Sequence, residues 1–246
     1  MKQAIVLAAG RGSRLGSATD GNPKCLVRVG GKTLLEHHVQ ALHAVGVERI
    51  CVVIGHQSQR IEQLLNGTVE YVHNPRWDQT NSLYSLWSAR EWIQGEFMLM
   101  NCDVLAHPDV FARVASAQGT ALAYDSTSGD EDEHMKVSVR NGCVRAITKK
   151  MVTDQICGEN VGILRFDEQG GQMLFEAADV IVKSGLDEMW APAAVNQIAT
   201  TLPIAAIDVA GLPWVEIDFA HDLEYAHKKI WPEIKSAMTN SLKESQ

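Results

Sequence analysis

Leu7-Ala8-Ala9-Gly10-Arg11-Gly12-Ser13-Arg14-Leu15 grows out of the run Gln3–Ala8, whose length and apolar content read as a buried strand. Small and glycine residues placed directly after such a strand let backbone N–H groups approach an anion. Arg14, together with Lys24 in Asn22-Pro23-Lys24, adds positive charge suited to a polyphosphate. Gly30-Gly31-Lys32 follows a few residues on. The stretch therefore reads as a nucleotide cradle, and its spacing excludes the usual competitors. The glycines at 10, 12 and 16 do not make GxGxxG, no Gly-Lys-Ser/Thr closes a P-loop, and the next strand ends Ile54-Gly55-His56 without a ribose-binding acid.

Outward from that junction, strand-length apolar runs alternate with segments of helical period, the pattern of βαβ units and hence of the α/β class. Strands are expected at Gln3–Ala8, Arg49–Ile54, Val69–His73 and Glu96–Asn101, with helices at Thr33–Val45, Ser58–Leu65 and Ser82–Ile93. From Ala121 the strands shorten: Ala121–Asp125, Lys136–Arg140, Val144–Thr148 and Gly162–Phe166, with Asn141-Gly142 as a hairpin turn. Helices at Gly171–Ser184 and Ala191–Ala199, strands at Ile204–Val209 and Trp214–Ile217, and a last helix from about His221 complete the chain. The sheet should be mixed but mostly parallel, flanked by helices. We expect one domain over residues 1–240, with a nucleotide-binding half at 1–120 and an acceptor-binding half at 121–218. Asn240–Gln246 reads as a solvated tail.

The chain of 246 residues carries 22 Lys plus Arg against 30 Asp plus Glu, so no excess positive field exists to hold nucleic acid. Five cysteines without a CxxC pair suit reduced thiols and point to the cytoplasm. The first apolar run is too short to span a membrane and lacks a signal-peptide pattern. The acidic run Asp130-Glu131-Asp132-Glu133 reads as an exposed, solvated turn. The histidines read as caps or surface groups, lacking metal-ligand spacing.

LAAGxGxRL with a downstream Pro-Lys resembles the opening of the sugar-phosphate nucleotidyltransferases, a superfamily that includes the MobA-like NTP transferases. The resemblance implies a Rossmann-like nucleotidyltransferase fold with a small β-hairpin acceptor-binding region. It implies that Leu7, Ala8, Ala9, Gly10, Gly12 and Ser13 wrap the nucleoside triphosphate, that Arg14 faces its outer phosphates, and that Lys24 approaches the α-phosphate. It also implies Mg²⁺. Asp103 and Asp218 each follow an apolar strand and can project from the sheet's carboxyl edge; both match the family's metal positions, although an Asp there also serves as a helix N-cap. Lys24, Arg14, Asp103 and Asp218 are the expected catalytic set.

Asn74-Pro75-Arg76-Trp77-Asp78-Gln79-Thr80-Asn81-Ser82-Leu83-Tyr84-Ser85-Leu86 is similar to the choline-phosphate, inositol-phosphate and phosphonate cytidylyltransferases. Asn81, Ser82 and Ser85 are thus expected beside the base of CTP, with Asn81 or Ser82 alternatively a helix cap. Further on, Met135-Lys136-Val137, Ile147-Thr148-Lys149, Gly158-Glu159-Asn160-Val161-Gly162-Ile163 and Pro213-Trp214-Val215-Glu216-Ile217-Asp218 resemble the branch that accepts choline phosphate or phosphonates such as 2-aminoethylphosphonate. Lys136 and Lys149 are expected at the acceptor's phosphoryl or phosphonyl group. Asn160 joins them, and Trp190 with Glu159 or Glu216 can face an ammonium. Glu216, two residues before Asp218 and so on the same face of an extended strand, can reach the metal shell or the acceptor. Trp190 reads equally as core packing, and lysines as solvated groups. The alternatives are a UTP- or dTTP-dependent sugar-1-phosphate transferase and a non-catalytic nucleotide-binding module. The helices after Gly171 offer apolar faces to a homodimer as well as to the core.

Overall fold

A computed structural model describes residues 1–19, 21–129 and 131–244. Its elements run β1 Gln3–Ala8, β2 Arg28–Val29, β3 Lys32–Thr33, α1 Leu34–Ala44, β4 Arg49–Ile54, α2 Ser58–Leu65, β5 Glu70–His73, α3 Ser82–Ser88, β6 Phe97–Asn101, β7 Val104–Ala106 and α4 Pro108–Ser116. They continue with β8 Ala121–Asp125, β9 Lys136–Arg140, β10 Cys143–Thr148, β11 Gly158–Phe166, α5 Glu168–Lys183, α6 Pro192–Ile198, β12 Ala205–Asp208, β13 Trp214–Glu216, α7 Ala220–Tyr225 and α8 Trp231–Glu244.

Nine strands form one sheet in the order β5-β4-β1-β6-β11-β8-β12-β10-β9. The first four are mutually parallel, while β11 runs antiparallel to both β6 and β8. The parallel character expected of the whole sheet is therefore concentrated in its first half. Beyond β6 the strands arrive by hairpins and returns, with only β12 parallel to its neighbour β8. β1 is buried along its whole length because helices cover both faces of the sheet. Its alternate residues divide between two cores. Ile5 and Leu7 pack with Leu83 and Leu86 of α3 and Leu174 of α5, whereas Ala4 and Val6 pack with Leu35 of α1, Ile61 of α2 and Phe111 of α4.

The strand order reverses around β1. The chain steps outward through β4 and β5 and then returns to place β6 on β1's other side. Loops leaving the carboxyl ends of β1 and β6 therefore diverge over a crevice, the ligand-binding position of open α/β sheets. Thr33 caps α1 by accepting from Glu36 N at 3.1 Å, and the Glu36 carboxylate returns to Thr33 N at 2.7 Å, a full capping box. Asn141 and Gly142 both have positive φ, 55° and 73°, as a tight hairpin turn requires.

Several expectations need correction. α3 stops at Ser88 instead of Ile93, because Ala89, Arg90 and Trp92 donate to residues three back and tighten into turns. α4 was not foreseen, although Pro108 at its first turn and Val110, Phe111 and Val114 on one face are its signature. His107 caps it through Nδ1, which accepts from Asp109 N at 3.1 Å. His38 is fully buried instead of superficial, with Nε2 2.5 Å from the Val104 carbonyl. Helix α8 continues through Glu244, so 240–244 are not a loose tail; residues 245 and 246, like Asp130 of the acidic run, lie outside the described residues. Among the described residues no helix is long and apolar enough to cross a membrane.

Candidate active site

The crevice above β1 and β6 holds a cavity of about 530 Å³. Its floor is the glycine loop. Gly12 has φ of 70°, and a Cβ there would stand 2.5 Å from Lys24 Cβ, so only glycine lets the loop lie against Lys24. Gly55 plays a similar part at the end of β4: a Cβ would come within 2.5 Å of Trp77 Cβ and 2.8 Å of the Ala9 carbonyl. Trp77 consequently lies flush against the loop and lines the cavity.

A small ribbon assembles the acidic side. β13 pairs antiparallel with β7, setting Glu216 opposite Val104, and Ile217 N donates to the Asp103 carbonyl at 2.9 Å. Asp222 accepts from Asp218 N at 2.9 Å and from Phe219 N at 2.7 Å, fixing the turn that carries Asp218. As a result one carboxylate oxygen from each of Asp103, Glu216 and Asp218 lies within 4.8 Å of the others.

Lys24 is buried in the wall facing this cluster. Its ammonium lies 2.8 Å from Asp103 Oδ2 and also pairs with Asp218 Oδ1. Burial alone would lower its pKa, but the charges of Asp103 and Asp218 more than offset that and raise it above the ordinary lysine value. Lys24 is therefore a permanent cation. Glu216 is instead driven toward its neutral form, its pKa raised to about 8, first by burial and then by the negative charges of Asp103 and Asp218. Arg14 closes the chain of charges, with Nη2 2.7 Å from Asp218 Oδ2 and its guanidinium 5.4 Å from the Phe219 ring centre.

This donor set fits a magnesium ion, which prefers hard carboxylate oxygens. Asp103 Oδ1 is buried and has no hydrogen-bond partner, and three carboxylates converge on one point with one of them driven toward its neutral form. A divalent cation relieves both conditions. Glu216 thus stands with Asp103 and Asp218, the first of the two places, metal shell or acceptor, that its spacing from Asp218 allowed.

On the opposite wall, Asn81 caps α3, its Oδ1 accepting from Ser82 N at 2.8 Å. Ser82 Oγ accepts from Ala191 N at 2.9 Å, and Ser85 Oγ accepts from Asn74 Nδ2 at 3.1 Å. All three line the cavity, as do Leu7, Ala9, Gly10, Ser13, Lys149, Asn160 and Trp190. Trp190 is about half exposed instead of packed in the core, and the Lys149 ammonium lies 5.3 Å from its ring centre.

Three expected residues stand outside the wall. Ala8 faces the core beneath the loop. Lys136 is buried, and its ammonium donates to the carbonyls of Glu131 at 2.6 Å and Lys149 at 3.1 Å, so it is turned away from any acceptor. Glu159 is also buried, accepting from Ser128 Oγ and lying 3.4 Å from His134 Nδ1, with burial raising its pKa. Conversely, Arg11, Trp77, Thr80 and Glu133 line the cavity without having been singled out. Arg11, Trp77 and Thr80 lay inside the quoted motifs, whereas Glu133 was concealed in a charge run that reads as solvated.

A Rossmann-like α/β fold thus carries a glycine loop, two cations and a carboxylate trio at the sheet's switch point, the arrangement of the nucleotidyltransferase fold class. Residues 4–201 match the MobA-like NTP transferase domain, and the chain belongs to that family. Over 127 residues it is 38% identical to the CMP-5'-(3-aminopropyl)phosphonate synthase of Streptomyces rubellomurinus, an overlap of 49% of this chain and 20% of that protein. It is 23% identical to the CTP:phosphoglutamine cytidylyltransferase of Campylobacter jejuni, over 92% of this chain and 99% of the other. The solved inositol-1-phosphate CTP transferase of T. maritima shares the fold with a TM-score of 0.79 at 22% identity, covering 96% of this chain and 95% of its own. The chain spans 20–51% of the length of the first curated relatives it matches.

Proposed function

We propose that the chain is a magnesium-dependent cytidylyltransferase that moves CMP from CTP onto a small acceptor carrying a phosphate or phosphonate, such as choline phosphate or 2-aminoethylphosphonate, and releases pyrophosphate. The observation that carries this reading is Lys24, a buried ammonium held between Asp103 and Asp218 at the foot of the glycine loop. The choice of CTP is supported by relatives named for CMP or CTP chemistry.

In the reaction an acceptor oxygen bonds to the α-phosphorus, the bond from that phosphorus to the bridging oxygen breaks, and its electron pair leaves with pyrophosphate. The glycine loop presents backbone N–H groups to the phosphates. Lys24 stabilises charge growing on the α-phosphate, and Arg14 accompanies the departing pyrophosphate. Asp103, Glu216 and Asp218 would hold the magnesium ion, which when bound supplies charge neutralisation at the phosphate oxygens. The acceptor is already an anion at neutral pH, so no general base is needed. In keeping with this, no histidine lines the cavity among the described residues. The five cysteines are all free, which supports a cytoplasmic setting. A homodimer is the assembly to test by light scattering.

The test is pyrophosphate release with Mg²⁺ across CTP, UTP, ATP and GTP, each crossed with choline phosphate, 2-aminoethylphosphonate, inositol phosphate and glucose-1-phosphate. Turnover is expected with CTP and an amine-bearing acceptor. Turnover confined to UTP and glucose-1-phosphate overturns the assignment of the base. Asp218→Ala should remain folded and lose turnover, and an active variant overturns the metal assignment.

A further inference from the structure

Glu133 bridges two cations that line the same cavity from different sides. Its Oε2 lies 2.9 Å from Lys149 Nζ and 3.4 Å from Arg14 Nη1. Arg14 has a second carboxylate partner in Asp218, whereas among the described residues Glu133 is the only acidic partner of Lys149. One carboxylate oxygen between an ammonium and a guanidinium has the charge and hydrogen-bonding character of a phosphoryl oxygen. The Lys149 ammonium also lies against the face of Trp190, so the place Glu133 occupies adjoins the cavity's aromatic wall.

The backbone that presents Glu133 is tied down. The buried Lys136 ammonium donates to the carbonyls of Glu131 at 2.6 Å, His134 at 3.5 Å and Lys149 at 3.1 Å, joining the segment around Glu133 to the end of the strand that carries Lys149. Asn160 N adds a bond to the Met135 carbonyl at 2.8 Å. The Glu133 side chain itself is 61% exposed, so it can swing into solvent while its backbone stays in place.

We infer that Glu133 is a built-in anionic competitor: its carboxylate stands on Lys149 where the acceptor's phosphoryl or phosphonyl group binds, and the acceptor must displace it, which also releases Arg14 to the triphosphate. Lys136 is the positioning residue that keeps the competitor in reach. The inference rests on the cytidylyltransferase reading, and it assigns the anion-binding end of the acceptor site. It predicts that the site discriminates by charge, since a dianion repays displacement of one carboxylate better than a neutral or monoanionic group does.

The experiment measures methylphosphonate binding to the full chain by calorimetry at low salt, alongside the acceptor KM. Glu133→Gln should tighten methylphosphonate binding about three- to tenfold, the scale of an exposed ion pair made twice, and lower the acceptor KM by a similar factor. Glu133→Asp, which keeps the charge, should show less than half of that gain on a logarithmic scale. Lys149→Met added to Glu133→Gln should remove it. Unchanged or weaker methylphosphonate binding in Glu133→Gln overturns the inference, because a purely structural or acceptor-contacting carboxylate gives that result. The binding measurement needs no turnover: absent turnover with tightened binding refutes the functional reading alone, and normal turnover with unchanged binding refutes this inference alone.

Discussion

Acidification should weaken the fold through His38 in a way that can be isolated from every other titration. Burial of the ring lowers its pKa from 6.5 to about 4, an effect that the Val104 carbonyl and the charge of Asp103 only partly counter. Nε2 donates to Val104 O, while Nδ1 is buried without a partner, so protonation would create a second N–H with no acceptor. The unfolded chain accordingly binds this proton more readily than the folded one. Its contribution to stability is complete above pH 6.5 and is lost as pH falls from there toward 4. The whole difference is about 3 kcal/mol, of which about 2 kcal/mol is lost between roughly pH 7.5 and pH 5. His37 and His56 are also lowered, chiefly by burial, so the raw pH dependence contains further terms of the same sign. Urea unfolding of wild type and His38→Gln at both pH values removes those common terms. Wild type should lose about 2 kcal/mol more than the variant over that interval. Equal losses would refute the reasoning and mean that the ring is solvated or reaches an acceptor when charged.

Other consequences are as direct. Gly12→Ala places a Cβ 2.5 Å from Lys24 Cβ at a φ of 70°, so it should displace the lysine and lower turnover by roughly a hundredfold, read from steady-state pyrophosphate release. Magnesium at a hundred times its dissociation constant should stabilise the wild type by about 2.7 kcal/mol, and Asp103→Asn with Asp218→Asn should abolish that gain in thermal melts. Ile61→Ala empties a fully buried site under β4 and should cost about 2–5 kcal/mol in urea unfolding, with no change in acceptor KM. Gly55→Ala should push Trp77 off the loop, raising the CTP KM more than it lowers kcat.

The elements that bury a continuous face were legible in the chain. β1, β4 and α2 have the expected bounds because their apolar residues repeat at strand or helix period and their ends carry turn residues. The local half of the site was legible for the same reason: the loop at Gly10–Arg14, and Lys24 behind Pro23, lie within eighteen residues of one strand. What stayed hidden depends on long-range pairing. Glu216 reaches Asp103 only because β7 and β13, three residues each and 110 apart in sequence, form a ribbon. β13 is expected as a strand, but β7 is too short to show a period, and nothing local pairs the two. Lys136 misled for a different reason, since alternation places it on a face of β9 but cannot say that three carbonyls from two segments enclose its ammonium.

Glu133 shows most clearly why a charge run is ambiguous. The same four acidic letters describe a solvated turn or a counter-ion, and only the position of Lys149, just past the end of the strand paired with β9, distinguishes them. Among the described residues three cations of the cavity are already matched by carboxylates: Lys24 by Asp103 and Asp218, Arg14 by Asp218 and Glu133, Lys149 by Glu133. On the proposed function, a triphosphate and an acidic acceptor would exchange into these pairs, and a divalent cation would compensate the carboxylates they release. The two pairs that Glu133 makes are partly exposed and contribute little to folding. Deleting Glu133 should therefore alter anion affinity well before it alters the melting temperature, and a variant showing the opposite order would place the bridge in the scaffold instead of the site.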